Sequence, residues 1–225
     1  MTVTFTGGEL PTITVPLRAT TSLASFREWA GDPNLPEKIK LCYHRGEVIV
    51  EMGTEQIFSH VDVKTEITTV LRVLAKEGKL GRMWAEGFLV TNKQADLSCN
   101  PDAVFVSYDT FKAKRVKLIE GKEGGFVELL GTVDMVLEVV SDSSERKDNQ
   151  TLFEAYYEAG IPEYWLVDAR GEEVVFHIYR RGAKKYTVTK KQPGGWVKSP
   201  VFSKSFRLVR GADTTGNPEF TLEVK

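Results

Sequence analysis

Apolar residues along this chain recur in two rhythms, and the rhythms predict its elements. Ile13, Val15 and Leu17 alternate within a stretch broken by Gly7-Gly8 and Pro11, so residues 1–20 read as extended segments. A short helix follows from Ser22 through Phe26 and Trp29 and stops before Gly31-Asp32-Pro33. Leu41 to His44 and Glu47 to Met52 form a hairpin turning at Arg45-Gly46. The strongest helical pattern runs from about Glu55 to Glu77, where His60, Val63, Ile67, Val70 and Leu74 step by threes and fours. Gly78 and Gly81 supply its stop signal.

Two strands come next, near Met83–Thr91 and Asp102–Ser107. Residues 107–132 are too many for a bare loop and read as a hairpin, Arg115–Glu120 and Phe126–Leu130, around Gly121–Gly125. Met135–Val140 is a nearly continuous apolar run, the signature of a strand buried on both faces. A helix from about Glu145 to Ala159 ends at Gly160 and Pro162, and Tyr164–Val167 is a further buried strand. From Val174 onward the chain is β-rich, with turns at Arg181-Gly182 and Pro193-Gly194-Gly195. Without repeats, low-complexity tracts or linkers, residues 1–225 read as one α/β (α+β) domain, most simply one mixed sheet with helices against it.

Composition narrows the class. At 225 residues, 41% apolar and 27% charged, the chain can bury a core and is not of the disordered type. The net charge of −1 makes any nucleic-acid surface a local one. Cys42 and Cys99 form no disulfide framework, and no signal peptide or apolar span of about 20 residues is evident. A cytoplasmic protein away from membranes is expected.

The chemistry starts with Glu138, an acid in the middle of a buried-type strand. An unpaired carboxylate there costs several kcal/mol or neutralises itself, so it requires a cation, a base or a wet cleft. Asp102 raises the same question, sharing a face with Val104 and Val106. Two such carboxylates on neighbouring strands make an oxygen-rich site of the kind Mg²⁺ takes. A strand-end pairing with Arg is the structural alternative, and it is weaker for the mid-strand glutamate.

Several motifs carry a resemblance: Pro101-Asp102, Leu-Glu138-Val-Val-Ser141, Lys147-Asp148 and Gly160-Ile-Pro-Glu-Tyr-Trp-Leu-Val-Asp168. Together they resemble the Uma-two family of restriction-endonuclease-like proteins, within the PD-(D/E)XK nuclease superfamily. The likeness runs from about residue 41 to 206, leaving residues 1–40 as an N-terminal extension and 207–225 as a C-terminal β tail. It implies a core of helix, three-stranded meander, helix and strand. It also implies a metal-dependent endonuclease, with Asp102 and Glu138 as ligands of Mg²⁺ or Mn²⁺. A lysine is expected two residues after the glutamate, but position 140 is Val. Lys147, at the start of the following helix, is the substitute. The superfamily often adds an acid from the first helix, for which Glu66 is the candidate, and His60 could line the cleft as a proton carrier. Glu51 and Glu86 are possible supporting groups. Tyr156, Tyr164 and Trp165 follow core spacing.

Basic residues cluster twice. Lys112, Lys114, Arg115, Lys117 and Lys122 surround the hairpin between the acid-bearing strands. Arg180, Arg181, Lys184, Lys185, Lys190 and Lys191 surround a C-terminal one. Either group suits DNA phosphates, the first better by position, although neighbouring acids offset both. Dimerisation, common among such nucleases, fits a two-stranded substrate. Two rivals stand beside the nuclease: a nucleic-acid-binding module that no longer cuts, and a structural or oligomerising protein.

Overall fold

The computed structural model describes residues 3–5, 13–36 and 39–225. The breaks expected at Gly7-Gly8 and Pro11 lie outside the described residues. The chain divides into two compact units, each assembled from three stretches: residues 1–53, 87–100 and 117–131, and residues 54–86, 101–116 and 132–225.

The first unit carries a six-stranded mixed sheet, in the order Glu47–Glu51, Lys40–His44, Leu97–Cys99, Leu89–Asn92, Phe126–Gly131, Val116–Glu120. Phe126–Gly131 runs parallel to Leu89–Asn92, and the Lys40–His44 hairpin turns at Arg45 (φ 51°) and Gly46 (φ 86°) as its sequence predicts. Helix Leu23–Ala30 is capped by the Ser22 hydroxyl, which accepts the Ser25 N–H. Its Phe26 and Trp29 join Ile13, Val15, Leu41 and Tyr43 in a core. Leu17 leaves the expected alternation, because it opens a 3-10 turn and is exposed. Cys42 and Cys99 are buried and lie opposite each other on neighbouring strands.

The second unit holds the other six-stranded mixed sheet, ordered Tyr186–Val188, Val175–Arg181, Glu163–Asp168, Met135–Val139, Ala103–Ser107, Gly81–Ala85. Met135–Val139 lies at its centre, buried at every position, antiparallel to Ala103–Ser107 and parallel to Glu163–Asp168. One face bears Met135, Leu137, Val139, Ala103, Phe105, Trp165 and Val167, packed against helix Val63–Glu77. Phe206, Leu208, Phe220 and Leu222, from a three-stranded sheet (Val197–Ser199, Lys204–Ala212, Pro218–Val224), share that core. Around Tyr164, an aromatic group of Tyr156, Tyr179, Tyr186 and Phe153, with the last from helix Leu152–Glu158, packs edge to face and tilted or stacked.

Several expectations need correction. The described strands divide among two six-stranded sheets and two smaller ones rather than forming one. The predicted Met83–Thr91 strand is broken at Gly87 (φ 103°), and its halves, Gly81–Ala85 and Leu89–Asn92, enter different sheets. Leu97–Cys99 and the short helix Tyr108–Lys112 were not anticipated, being too short for a periodic signal. The long helix buries His60, Val63, Ile67, Leu71 and Ala75, while Val70 and Leu74 sit at the edge of the core. Its left-handed C-terminal residue is Lys79 (φ 50°), not Gly78. Gly81 has a steric task instead, since a Cβ there would lie 2.2 Å from the Val106 carbonyl oxygen of the neighbouring strand. Among the described residues, no helix is long and apolar enough to cross a membrane.

Candidate active site

The antiparallel register that pairs Leu137 with Ala103 ends where Asp102 precedes one strand and Glu138 continues the other. Both carboxylates are 2% exposed, so neither is a surface acid. Asp102 Oδ2 accepts the main-chain N–H of Val139 at 2.7 Å, which ties the aspartate to the residue after Glu138. Glu138 Oε1 accepts the Tyr156 hydroxyl at 2.5 Å.

Wide helical turns open both helices that reach this end of the sheet. In Ile57–Asp62 the Val61 N–H reaches the Gln56 carbonyl at 3.0 Å, and in Lys147–Thr151 the Leu152 N–H reaches that of Lys147. Such turns displace side chains from ordinary helical spacing and recur at functional sites. The first carries His60, with Nε2 3.5 Å from Asp102 Oδ2 and Nδ1 3.2 Å from Glu55 Oε2. One turn on, the buried Lys64 ammonium lies 2.7 Å from Glu55, 2.9 Å from Glu86 and 3.9 Å from Asp102.

The second wide turn carries Lys147 and Asp148. Lys147 is 8% exposed, so it is not a solvated first-turn lysine, and its Nζ lies 3.4 Å from Asp148 Oδ1. Asp148 is also buried. It accepts the Ser144 hydroxyl at 2.5 Å, which links the Ser141–Ser144 turn to the helix start. Tyr164 donates its hydroxyl to the Asp148 carbonyl at 2.9 Å. Burial, then the negative charges of Asp148 and Glu138, push the Tyr164 phenol well above its usual range, so it remains a neutral donor.

The other candidates fall elsewhere. Glu66 accepts the main-chain N–H of Leu222 at 2.8 Å, which holds the Pro218–Val224 strand to the helix. Glu86 reaches the site through Lys64, while Glu51 belongs to the first unit. Lys112, Lys114, Arg115 and Lys117 are all exposed, and Arg115 also donates to Thr110. Tyr156, Tyr164 and Trp165 are fully buried core residues, as their spacing predicts.

Sequence reasoning missed Lys64 and Glu55. The available signal was the spacing of His60 and Lys64, which places them one helical turn apart beside a stripe that buries Val63 and Ile67.

A carboxylate-rich site fits a divalent cation. Asp102 and Glu138 are each buried oxygen donors, and ligand atoms of Glu55, His60 and Asp102 lie within 4.8 Å of one another, close enough that these three could share an ion.

This fold is of a nuclease type. The chain belongs to the Uma-two family, described as "Putative restriction endonuclease", whose sequence model matches residues 23–210. Among solved structures it is similar to a crystal structure of "a putative nuclease belonging to DUF820" from Anabaena variabilis ATCC 29413. The two are 19% identical, with a TM-score of 0.59, over 81% of this chain and 90% of that chain. That likeness shows the shared fold. No curated protein matches the chain.

Proposed function

We propose that this chain is a metal-dependent endonuclease that hydrolyses DNA phosphodiester bonds. The observation carrying this reading is the buried pair Asp102 and Glu138 at one end of two neighbouring strands, fastened by the Asp102–Val139 hydrogen bond. Asp102 and Glu138 would hold Mg²⁺ or Mn²⁺. A bound ion supplies positive charge to the phosphate oxygens and lowers the pKa of a coordinated water.

The chain's own groups have distinct tasks. Tyr156 fixes the Glu138 carboxylate, and the Val139 N–H fixes that of Asp102. Lys147, with Val140 at the usual lysine position, provides the cation that orients the attacking water and steadies charge on the phosphate. Its burial beside Asp148 keeps it from bulk solvent, where its charge would be screened. Lys112, Lys114, Arg115 and Lys117 contact the DNA backbone without reading sequence. The protein acts in the cytoplasm, as a homodimer when both strands are cut.

The test is cleavage of single- and double-stranded DNA with Mg²⁺ or Mn²⁺, wild type beside Glu138→Ala. Metal-dependent cutting that the variant loses is expected. No cutting by wild type in any metal would sink the proposal.

Val140 favours a second reading, a nucleic-acid-binding module that does not cut. It is buried, its N–H donates to the Val167 carbonyl at 2.7 Å, and it has no cation to offer. DNA binding by wild type with no cleavage in any metal would select this reading.

A further inference from the structure

His60 stands between two carboxylates. It is 3% exposed, Glu55 Oε2 lies 3.2 Å from Nδ1, and Asp102 Oδ2 lies 3.5 Å from Nε2. Nδ1 is buried without an aligned hydrogen bond. A neutral imidazole has one N–H and one lone pair. With a carboxylate at each nitrogen, a neutral ring turns that lone pair toward one of them, and a cation bound at that nitrogen relieves the repulsion.

The surrounding charges point the same way. The Lys64 ammonium faces Glu55, Glu86 and Asp102 together, so three carboxylates gather within reach of one lysine. Nε2 and Oδ2 are also inside the span of about 4 Å that two donors, each about 2.1 Å from one ion, cannot exceed. Ligand atoms of Glu55, His60 and Asp102 all lie within 4.8 Å of one another.

We propose that His60, through Nε2, is a ligand of the ion held by Asp102, with Glu55 behind Nδ1 as the carboxylate that orients the ring. This inference rests on the reading of Asp102 as a metal ligand. A carboxylate behind a ligating histidine fixes its tautomer and strengthens it as a donor. An imidazole ligand has a consequence that an all-oxygen site lacks. Nitrogen donors favour Mn²⁺ and later transition ions over Mg²⁺, so the site discriminates between metals.

The experiment uses the purified full chain and Mn²⁺ as the probe. Pulsed electron paramagnetic resonance of the wild-type protein is expected to show hyperfine coupling of Mn²⁺ to an imidazole nitrogen. His60→Gln should lose that coupling and bind Mn²⁺ about tenfold to a hundredfold more weakly, with a smaller change for Mg²⁺. The wild-type spectrum requires no variant, so a poorly folding His60→Gln protein does not spoil the test. Saturable Mn²⁺ binding that Asp102→Asn abolishes, but with no nitrogen coupling, overturns the His60 assignment and leaves the two-acid site standing. Wild type without saturable Mn²⁺ binding, or binding indifferent to Asp102→Asn, removes the metal site and this inference together.

Discussion

Two buried glutamates sit toward opposite ends of the same pair of parallel strands. Glu163 opens one strand opposite Met135, whereas Glu138 lies near the far end of the other, opposite Leu166. Around Glu163 the fold supplies neutral donors: the Trp165 indole at 2.9 Å, the Ser199 hydroxyl at 2.7 Å and the Val201 N–H at 2.9 Å. These join the Glu163–Asp168 strand to the 199–201 stretch of the second unit, and the acid acts as a structural cross-link. The Asp102–Glu138 end collects charge instead, with Lys64, Glu55, Glu86 and His60 near Asp102, and Lys147 beside Asp148. A buried acid alone therefore does not mark a site. The company of further titratable groups does, and ligands of open sheets with parallel strands commonly bind beyond the strands' carboxyl ends.

The sharpest way to break this contrast is to neutralise each acid in turn. Asp102→Asn and Glu138→Gln are expected to lower single-turnover cleavage about a thousandfold or more while the protein stays folded. Glu163→Gln should do the opposite, leaving cleavage and Mn²⁺ affinity near wild type. If Glu163→Gln abolished cleavage in a folded protein, the division into structural and chemical ends would fail. A smaller effect, about a hundredfold, is expected for Lys147→Met, with DNA binding retained. Unchanged cleavage by that variant would return the role of cation to another residue, for which Lys64, 3.9 Å from Asp102, is the candidate.

Stability sharpens the comparison from the other side. Glu163→Gln leaves buried donors poorly matched, and a loss of about 1–3 kcal/mol in urea unfolding is expected. Burial raises the Glu163 carboxyl above its ordinary 4.5, against the lowering effect of its Trp165, Val201 and Ser199 hydrogen bonds. The folded state thus holds this proton more tightly than the unfolded chain. The associated stability is full below about pH 4.5 and is lost as pH rises through the higher folded value. Wild type should show that decline, and Glu163→Gln should lack it. A decline of equal size in both would assign it to another group.

What the sequence disclosed follows the same physical lines. Met135–Val139 and the helix after it were legible because continuous burial and a Gly-Pro stop leave strong local signals. Glu138 was legible because charge within an apolar strand demands a reason. The division between two six-stranded sheets was not, because it turns on three residues around Gly87 at a bend that periodicity cannot register. Burial of Lys147 and Lys64 was hidden for a related reason, since wide turns and tertiary packing decide which helical face a lysine takes. Glu163 passed as part of a motif, as its donors Ser199 and Val201 lie more than thirty residues away in sequence.

The smallest expected effect concerns the exposed basic residues, which belong to neither acid-bearing end. Charge reversal at Lys114 and Arg115 together should weaken DNA binding and flatten its salt dependence, by about one unit of log–log slope for each phosphate that is no longer neutralised. The two positions are not equivalent. Arg115 donates to the Thr110 hydroxyl and lies 3.7 Å from Asp134, whose carboxylate also accepts the Ser107 N–H at 2.7 Å. Reversing Arg115 therefore disturbs a local network as well as the surface. Lys114 is exposed on a left-handed turn (φ 57°), so Lys114→Glu is the cleaner probe of charge alone. A reduced salt slope with unchanged unfolding would place a phosphate at Lys114. An unchanged slope, with weaker binding only in the Arg115 variant, would mean that the network rather than the charge was disrupted, and the DNA path would have to lie elsewhere.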